Sequence, residues 1–502
     1  MARRSCASLR SSIRFAAQLL LLAGICTPAA GASDRTDLGP YIVLGWNDLG
    51  MHCMNRNFAD LCVLPPFNTV WATLIQRGDA SHVPVVLGGP GYRLTYRFDA
   101  NTYSAGKTDF WSWEDQLFGV SLPANIGLTG RGLTGTIDWT TDHFEAAGIP
   151  LTPWDDADLQ HEQPFQLMQI DAYDAENHLL AATEIVAPVS TEMLCSECHH
   201  PDPGETVEQA ILRLHDDENG TQLYNSRPVL CADCHASNAL GLPGNPNLPS
   251  LSLAMHEQHG EVTNDCYTCH PGPHTQCLRD VMSQEHGMVC QDCHGSVAQV
   301  AYSIDELGRE PWLEEPRCGD CHGPAYAEEP ATLYRFSNNG HGGLYCEACH
   351  NSTHAILPSR EERDNRQTVA LQGHAGTLRT CSVCHGVTPW GPGPHGLYPT
   401  GVDDGTPVSE LAARVLVQPN PISTSAVIRY RVVDETPVEL AIHDVGGRMI
   451  QTLTMRSQRA GDHSLVWDGK DEEGRSVPAG VYFCRLTTAG QTATARIVKV
   501  DP

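Results

Sequence analysis

The segment Cys266-Tyr-Thr-Cys269-His270 decides how the middle of this 502-residue chain folds. Its pattern, two Cys separated by two residues and followed at once by His, occurs seven times. Numbered 1 to 7 in chain order, the copies begin at Cys195, Cys231, Cys266, Cys290, Cys318, Cys346 and Cys381. Disulfides and zinc ribbons also use closely spaced Cys, but neither requires a His directly after the second Cys every time. The repeat therefore indicates covalent attachment of c-type haem.

Each copy would hold one haem through two thioethers and one axial ligand, so the expected cofactor is seven covalent haem c groups. The predicted attachment residues are Cys195, Cys198, Cys231, Cys234, Cys266, Cys269, Cys290, Cys293, Cys318, Cys321, Cys346, Cys349, Cys381 and Cys384. The predicted proximal iron ligands are His199, His235, His270, His294, His322, His350 and His385. A segment packed on so many large apolar groups needs little regular structure, and we expect it to be unfolded without them.

Distal ligands are drawn from the ten other His between residues 191 and 400, which suffice to give every iron two His. We predict His215, His259, His274, His286, His341, His354, His374 and His395, most of which closely precede or follow a copy of the motif. Which distal His meets which proximal His is left open, as is a surface or propionate-binding role for any one of them. Met282 and Met288 are alternative axial ligands, because Met/His ligation also occurs at c-type haems.

Three regions with different patterns predict a multidomain chain. Residues 33–190 carry short apolar or alternating runs, which are typical of a mostly β domain. The runs are Tyr41–Trp46, Thr69–Ile75, Val83–Leu87, Tyr92–Phe98, Phe165–Ile170 and Leu179–Val186. Residues 191–400 have little periodicity, which predicts a haem-packed cytochrome domain of loops and short helices. A linker at 401–414 leads to residues 415–502, whose short strands predict an Ig-like β-sandwich.

The N-terminus has the features of a secretory signal peptide over residues 1–32. A basic start precedes the apolar run Phe15–Ile25, and small residues for cleavage end at Ala32. The run is too short to span a membrane. Cys26 raises a lipoprotein alternative, which is disfavoured because lipid attachment needs a small residue before the Cys. We expect an exported protein, periplasmic, extracellular or at the cell surface, without a membrane span.

The charge balance excludes one class of partner. Acidic residues outnumber basic residues 60 to 32, which gives a formal net charge of −28. A nucleic-acid-binding surface needs a basic footprint, so we expect no nucleic-acid partner.

Several Cys lie outside the repeat. Cys53 and Cys62, in an exported domain, predict a disulfide. His52, beside Cys53, is an alternative distal ligand for a neighbouring haem or a buried structural His. Cys277 has no obvious partner, and a free thiol and an iron ligand are both open for it. Cys484 lies in an alternating strand and is expected to be buried as a small apolar side chain.

Two parts of the chain resemble known families. Residues 191–400 resemble exported multihaem c-type cytochromes, and the run Cys266–Asp280 is similar to segments of those proteins. The first domain is similar to a leader domain that often precedes such haem clusters, through Trp46–Cys53 and Leu64–Thr69. Residues 415–502 resemble C-terminal Ig-like sorting modules of the type IX secretion or flagellar hook-capping kind. The resemblance rests on Pro419-Asn-Pro421, Asp444-Val-Gly-Gly447, Trp467-Asp-Gly469 and Gly480-Val-Tyr-Phe483, and it implies partners in the export machinery.

With two ligands at every iron, the expected function is electron transfer between redox donor and acceptor proteins, or to an extracellular acceptor. No catalytic residue is predicted, since nothing in the sequence marks an open iron position. The alternative is a multihaem reductase or oxidase of a small nitrogen or sulfur compound, which needs one open iron. A surface-binding protein with a haem scaffold is a third hypothesis, and self-association into a filament is a sub-case of the first.

Overall fold

The computed structural model describes residues 37–320, 333–338, 341–389 and 393–396, and most of 415–500. Within the last range the exceptions are 419–421, 423, 433–435, 445–447, 460 and 489–490. Two compact units are present, Ser33–Gly401 and Val402–Pro502. The predicted signal peptide, the predicted linker, and Cys321 and His322 of copy 5 lie outside the described residues.

The first unit is organised on a nine-stranded sheet. Its strands and those of a small separate ladder are β1 (Tyr41–Asn47), β2 (His52–Cys53), β3 (Leu61–Cys62), β4 (Asn68–Gln76), β5 (Val85–Leu87), β6 (Tyr92–Arg97), β7 (Thr134–Trp139), β8 (Phe144–Ile149), β9 (Phe165–Asp174), β10 (Leu179–Ser190) and β11 (Val229–Leu230). The order is β1-β4-β8-β7-β6-β9-β10-β2, with β5 added to β4, while β3 and β11 form the ladder. Only β2–β10 and β3–β11 pair in parallel among the described strands. The predicted β-rich character of residues 33–190 is confirmed.

One apolar core joins side chains from β1, β4 and β9, among them Val43, Leu74 and Ile170. Gly45 on β1 shows how closely the strands approach across this core. A Cβ added at Gly45 would lie 2.7 Å from Cδ1 of Ile170 and 3.4 Å from Ile185. The 2.7 Å contact is too short for two carbon atoms, so any larger residue here would require the Ile170 side chain to shift.

The opposite face of β1 and β4 is also buried. It contributes to a second apolar cluster, which contains Ile42, Leu44, Trp46, Trp71, Ile75, Tyr345, Ala348, Leu371 and Val383. A strand covered on both faces needs apolar residues at nearly every position, which explains the uninterrupted runs in β1 and β4. Residues 33–190 and 191–400 therefore share one unit, and position 190 marks a change in composition inside it.

Helices in the first unit are short. The α-helices are α1 (Glu114–Phe118), α2 (Val207–Asn219), α3 (Leu251–His259), α4 (Val281–His286), α5 (Cys290–His294), α6 (Val297–Asp305), α7 (Cys346–His350), α8 (Arg366–Gln372) and α9 (Ser382–His385). The 3-10 turns are Phe110–Ser112, Cys195–Glu197, Leu223–Asn225, Cys231–Asp233, Cys266–Thr268, Cys318–Asp320, Tyr334–Phe336, His341–Gly343, Glu362–Asn365 and Pro394–Gly396. In the described part of the chain, no helix has the length and apolar character needed to cross a membrane.

The second unit contains two small sheets. Its strands are β12 (Val415–Gln418), β13 (Ala426–Val432), β14 (Thr436–Asp444), β15 (Met449–Gln458), β16 (Gly461–Trp467), β17 (Gly480–Thr488) and β18 (Gln491–Lys499). The sheet orders are β12-β13-β16 and β15-β14-β17-β18. Side chains from both sheets, including Ile428, Leu440 and Trp467, form one core. Cys484 is fully buried in this core, as its alternating strand predicts.

Candidate metal centres

Every copy of the repeat forms a helical turn at its first Cys. The turn is a 3-10 turn in copies 1, 2, 3 and 5 and an α-helix in copies 4, 6 and 7. In copy 1 the His199 backbone N–H donates to the Cys195 carbonyl oxygen at 2.9 Å, and His235 and His270 do the same toward Cys231 and Cys266. This bond spans four residues, as in an α-helix, so the first Cys and the His lie on one face. The local structure therefore presents both Cys and the His together.

Six pairs of His rings come together, and each pair joins a motif His to a His outside the motif. The pairs are His199–His259, His235–His215, His270–His256, His294–His354, His350–His395 and His385–His341. Their ring centroids lie between 5.6 and 6.4 Å apart. Copies 1, 2, 3, 4, 6 and 7 are thus each matched with a second imidazole.

These spacings fit a metal ion held between two imidazoles. With a metal–nitrogen bond of about 2 Å on each side, the two ring centroids would be about 6 Å apart. The His341–His385 pair is the tightest, with its Nε2 atoms 3.3 Å apart. That pair would open by about 0.7 Å to admit an ion with two such bonds. Because the motif Cys lie on the same turns, the residues present fit a covalently attached haem at these sites.

Hydrogen bonds at Nδ1 fix several of these rings with Nε2 free to bind a metal. The Nδ1 atoms of His256 and His259 each donate to a carbonyl oxygen one turn earlier in α3, at 2.7 Å. Nδ1 of His235 donates to the Pro249 carbonyl oxygen at 2.9 Å. A ring that donates from Nδ1 carries its lone pair on Nε2, which is how metal-binding His are commonly oriented.

The buried rings are held in the neutral form. Burial lowers the pKa of His270, His350 and His354 to about 4, and the facing imidazole of each pair adds a smaller effect in the same direction. These imidazoles are therefore uncharged at neutral pH. Only the neutral ring has a lone pair to offer a metal.

The structure brings together five of the eight predicted distal His, namely His215, His259, His341, His354 and His395. His274 and His286 are in none of the pairs formed within the described residues. His374 donates from Nδ1 to the Ala375 carbonyl oxygen at 2.9 Å, and its role as a ligand stays a prediction. His52, the alternative ligand, is hydrogen-bonded through Nε2 to a carboxylate oxygen of Asp48 at 2.8 Å.

His256 was missed by the sequence prediction, which favoured His close to a motif. The available signal was its spacing from His259. Ser250 caps α3 by accepting a hydrogen bond from the Leu253 N–H at 3.3 Å, and a helix places residues three apart on neighbouring positions of one face. A helix predicted after Ser250 would have made His256 and His259 equivalent candidates.

The six pairs interlock different copies. Helix α3 supplies His256 to copy 3 and His259 to copy 1. His354 follows copy 6 in the chain but pairs with His294 of copy 4. His341 precedes copy 6 but pairs with His385 of copy 7. Neighbouring sites therefore share short segments of chain.

Residues 33–190 also help to hold copy 7. Arg77 donates from Nε to the Val383 carbonyl oxygen at 2.6 Å and from Nη2 to the Ser382 carbonyl oxygen at 2.7 Å. The Gly78 N–H donates to the Cys384 carbonyl oxygen at 2.8 Å. The Val383 and Cys384 carbonyl groups belong to the last turn of α9, where the helix supplies no partner, while the Ser382 oxygen also accepts from the Gly386 N–H at 3.0 Å. The loop after β4 thus caps the helix of copy 7.

The predicted disulfide between Cys53 and Cys62 is not formed in the structure. The two Cys lie on strands that pair with different partners, β2 with β10 and β3 with β11. Cys62 is the register partner of Leu230, the residue before Cys231 of copy 2, whereas Cys53 is the register partner of Ser190. Strand pairing therefore separates two Cys that are close in sequence.

Comparison with known proteins identifies the second unit. Residues 431–491 match the model of the FlgD Ig-like domain. Over 52 residues the chain is 40% identical to the basal-body rod modification protein FlgD of Salmonella typhimurium and of Salmonella typhi. The match covers 10% of this chain and 22% of each relative, so the chain spans about a fifth of the length of these curated relatives. The predicted Ig-like module is confirmed.

Solved structures give a weaker likeness. FlgD from P. aeruginosa is 23% identical over 18% of this chain and 75% of its own, with a TM-score of 0.14. PorZ, an essential surface component of the type-IX secretion system of Porphyromonas gingivalis, is 18% identical over 20% of this chain and 14% of its own, also with a TM-score of 0.14.

Proposed function

We propose that the chain is an exported electron-transfer protein that holds seven covalent c-type haems in residues 191–400. The observation that carries the proposal is the set of six His pairs, each joining a motif His to a second imidazole at 5.6 to 6.4 Å between centroids. Bound haem supplies one-electron redox chemistry, and its potential depends on axial ligands, burial and hydrogen bonding.

The chain's own side chains would do three things in this function. The two Cys of each copy attach the group, the motif His binds one side of the iron, and the second His of the pair binds the other side. At the six paired sites of the described residues, a bound iron would have a His on each side, so none of these six would leave a position for a substrate. This arrangement favours the electron carrier over the reductase or oxidase.

The interlocked copies support passage of electrons from site to site. Cys266 of copy 3 and Cys290 of copy 4 lie close enough for each thiol to shift the pKa of the other, down for Cys266 and up for Cys290. His256 and His259 on α3 serve copies 3 and 1. Sites that share a helix or touch through their attachment residues are close neighbours, as electron transfer between them requires.

We propose separate roles for the remaining parts. Residues 33–190 provide the apolar surface that supports copies 6 and 7, because side chains of β1 and β4 pack against both copies. The FlgD-like second unit acts in export or surface retention, with export machinery as its partner. Redox donor and acceptor proteins, or an extracellular acceptor, complete the path.

The test is the visible spectrum of the dithionite-reduced holoprotein before and after addition of carbon monoxide, with the haem count from intact mass. We expect seven haems per chain and no change on adding carbon monoxide. A carbon monoxide-sensitive fraction of about one haem in seven would support the reductase or oxidase instead. A chain without covalent haem would overturn the proposal.

A matched pair of variants tests the ligand assignment. We expect His256→Ala to open one iron, so that the reduced variant binds carbon monoxide at one haem per chain. His274→Ala, which removes a sequence-predicted ligand outside the observed pairs, is the control and should leave the spectrum unchanged. The reverse result would show that the pairing of His256 with His270 is not the ligand set.

A further inference from the structure

Cys53 and Cys277 lie beside each other although they are far apart in the sequence. Neither belongs to the repeat. Both side chains are partly buried, and both are free thiols in the structure. Burial raises the pKa of Cys53 to about 12, with the neighbouring Cys277 thiol adding a smaller effect in the same direction. Burial likewise raises the pKa of Cys277 to about 11.

Backbone contacts on both sides hold the two segments together. One nitrogen of Arg279, Nη1, donates to the Gly50 carbonyl oxygen at 2.6 Å and to the Cys277 carbonyl oxygen at 3.1 Å. Arg279 is 1% exposed and its guanidinium is anchored by the carboxylate of Asp364, with Nε to Oδ2 at 2.6 Å and Nη2 to Oδ1 at 3.0 Å. The Arg279 guanidinium that joins the two segments is therefore buried and held by four hydrogen bonds.

A second link lies beyond Cys53. Cys53 is the register partner of Ser190 in the parallel pair of β2 and β10. The Ser190 and Thr275 hydroxyl oxygens are 3.0 Å apart. In addition, Cys277 packs against the small apolar cluster that contains Met51. Residues just before Cys53, and its cross-strand partner Ser190, thus contact the segment around Cys277.

The other thiols near Cys277 belong to the repeat and are predicted haem-attachment residues. Cys290 lies close enough to raise the pKa of Cys277 further, and Cys290 is an attachment residue of copy 4. Cys62 is placed beside Cys231 instead. Of the thiols near Cys277 in the described part of the chain, namely Cys53, Cys266 and Cys290, Cys53 is the one outside the repeat.

We propose that Cys53 and Cys277 are a disulfide site that joins the β-rich segment to the haem-motif segment of the same unit. The oxidant is a thiol-oxidising protein disulfide of the export compartment. One chain thiol, once deprotonated, attacks that disulfide to form a mixed disulfide, and the second displaces the oxidant's remaining sulfur. The chain gains one S–S bond, the oxidant's S–S bond is broken, and the two protons lost by the chain thiols end on the oxidant's reduced dithiol. The link keeps Cys277 from pairing with Cys290, so that Cys290 stays reduced for haem attachment.

The test is peptide mass mapping of the purified holoprotein after denaturation with an alkylating reagent and without reductant. We expect Cys53 and Cys277 to be unmodified and to appear in one linked peptide pair, two hydrogens lighter than the sum of the free peptides. Both become alkylated after reduction. Cys484 serves as the internal control and is alkylated in both cases. Alkylation of Cys53 and Cys277 without reductant, or linkage of either to another Cys, would overturn the proposal.

Three variants sharpen this result independently of haem function. Cys53→Ser should expose Cys277 to the reagent, and Cys277→Ser should expose Cys53. Cys62→Ser is the matched control, because it removes a nearby thiol that is directed elsewhere, and the linked peptide should persist. Loss of the link in Cys62→Ser would mean that the partner of Cys53 was misassigned.

Discussion

Glu347, the residue after Cys346 in copy 6, is 1% exposed. Burial raises its pKa well above the ordinary range, and the negative charges of Asp48 and Glu315 add to the effect. The folded chain therefore keeps a proton on Glu347 at pH values where the unfolded chain has released it. For a carboxyl group with a raised folded-state pKa, stability is lost as the pH rises above the unfolded value of about 4.3.

Replacing Glu347 with Gln should stabilise the holoprotein at high pH only. The amide keeps the size of the carboxyl but has no proton to lose, so we expect the free energy of unfolding to rise by about 1–3 kcal/mol at pH 8. The gain should vanish near pH 4. Denaturant titrations at both pH values measure it, with the exposed Glu285→Gln as control. A gain of equal size at both pH values would contradict the raised pKa.

At the scale of elements, the approach of β1 to β9 depends on one residue. Gly45→Ala should lower the free energy of unfolding by about 1–3 kcal/mol, because the added Cβ overpacks the core against Ile170. Gly39→Ala is the control, since nothing lies within 4 Å of its added Cβ. Thermal or denaturant unfolding of both holoproteins distinguishes them. Equal stability of the two variants would mean that β9 moves away without cost.

The strands show what sequence could predict and what it could not. The runs Tyr41–Trp46 and Thr69–Ile75 predict β1 and β4 because nearly every position is apolar. Strands β7 and β8 were not predicted. Strand β7 does alternate, with exposed Thr134, Thr136 and Asp138 between Gly135, Ile137 and Trp139, so its signal was present but short. Strand β8 is rich in small residues and gives no clear alternation, so its pairing with strong neighbours, not local preference, makes it a strand.

The candidate haem sites also contain residues that the sequence could predict and residues that it could not. The motif His could be predicted because their position is fixed by local spacing. The second His of a pair is set by long-range folding, as His354 shows by following copy 6 and meeting His294 of copy 4. Closeness in sequence therefore identified several participants but no pairing.

For the whole molecule, the two units should respond differently to loss of haem. The second unit has its own apolar core, whereas under our proposal residues 191–400 would rely on bound haem for most of theirs. We expect the full chain, produced without haem attachment, to lose ordered structure in residues 191–400 and to keep a folded second unit. Limited proteolysis followed by mass spectrometry should leave a resistant fragment that contains β12 to β18. Equal sensitivity of both units would contradict this.

Because β1 and β4 are buried on both faces, only some parts of this chain can be moved into a fusion protein on their own. The second unit can be transferred as a whole, since its apolar core consists of its own side chains. The haem-motif segment is not portable. Transplanted without β1, β4 and the loop after β4, it would leave the apolar side of copies 6 and 7 bare and the last turn of α9 without its cap. Fusions that use this segment must therefore include the β-rich part as well.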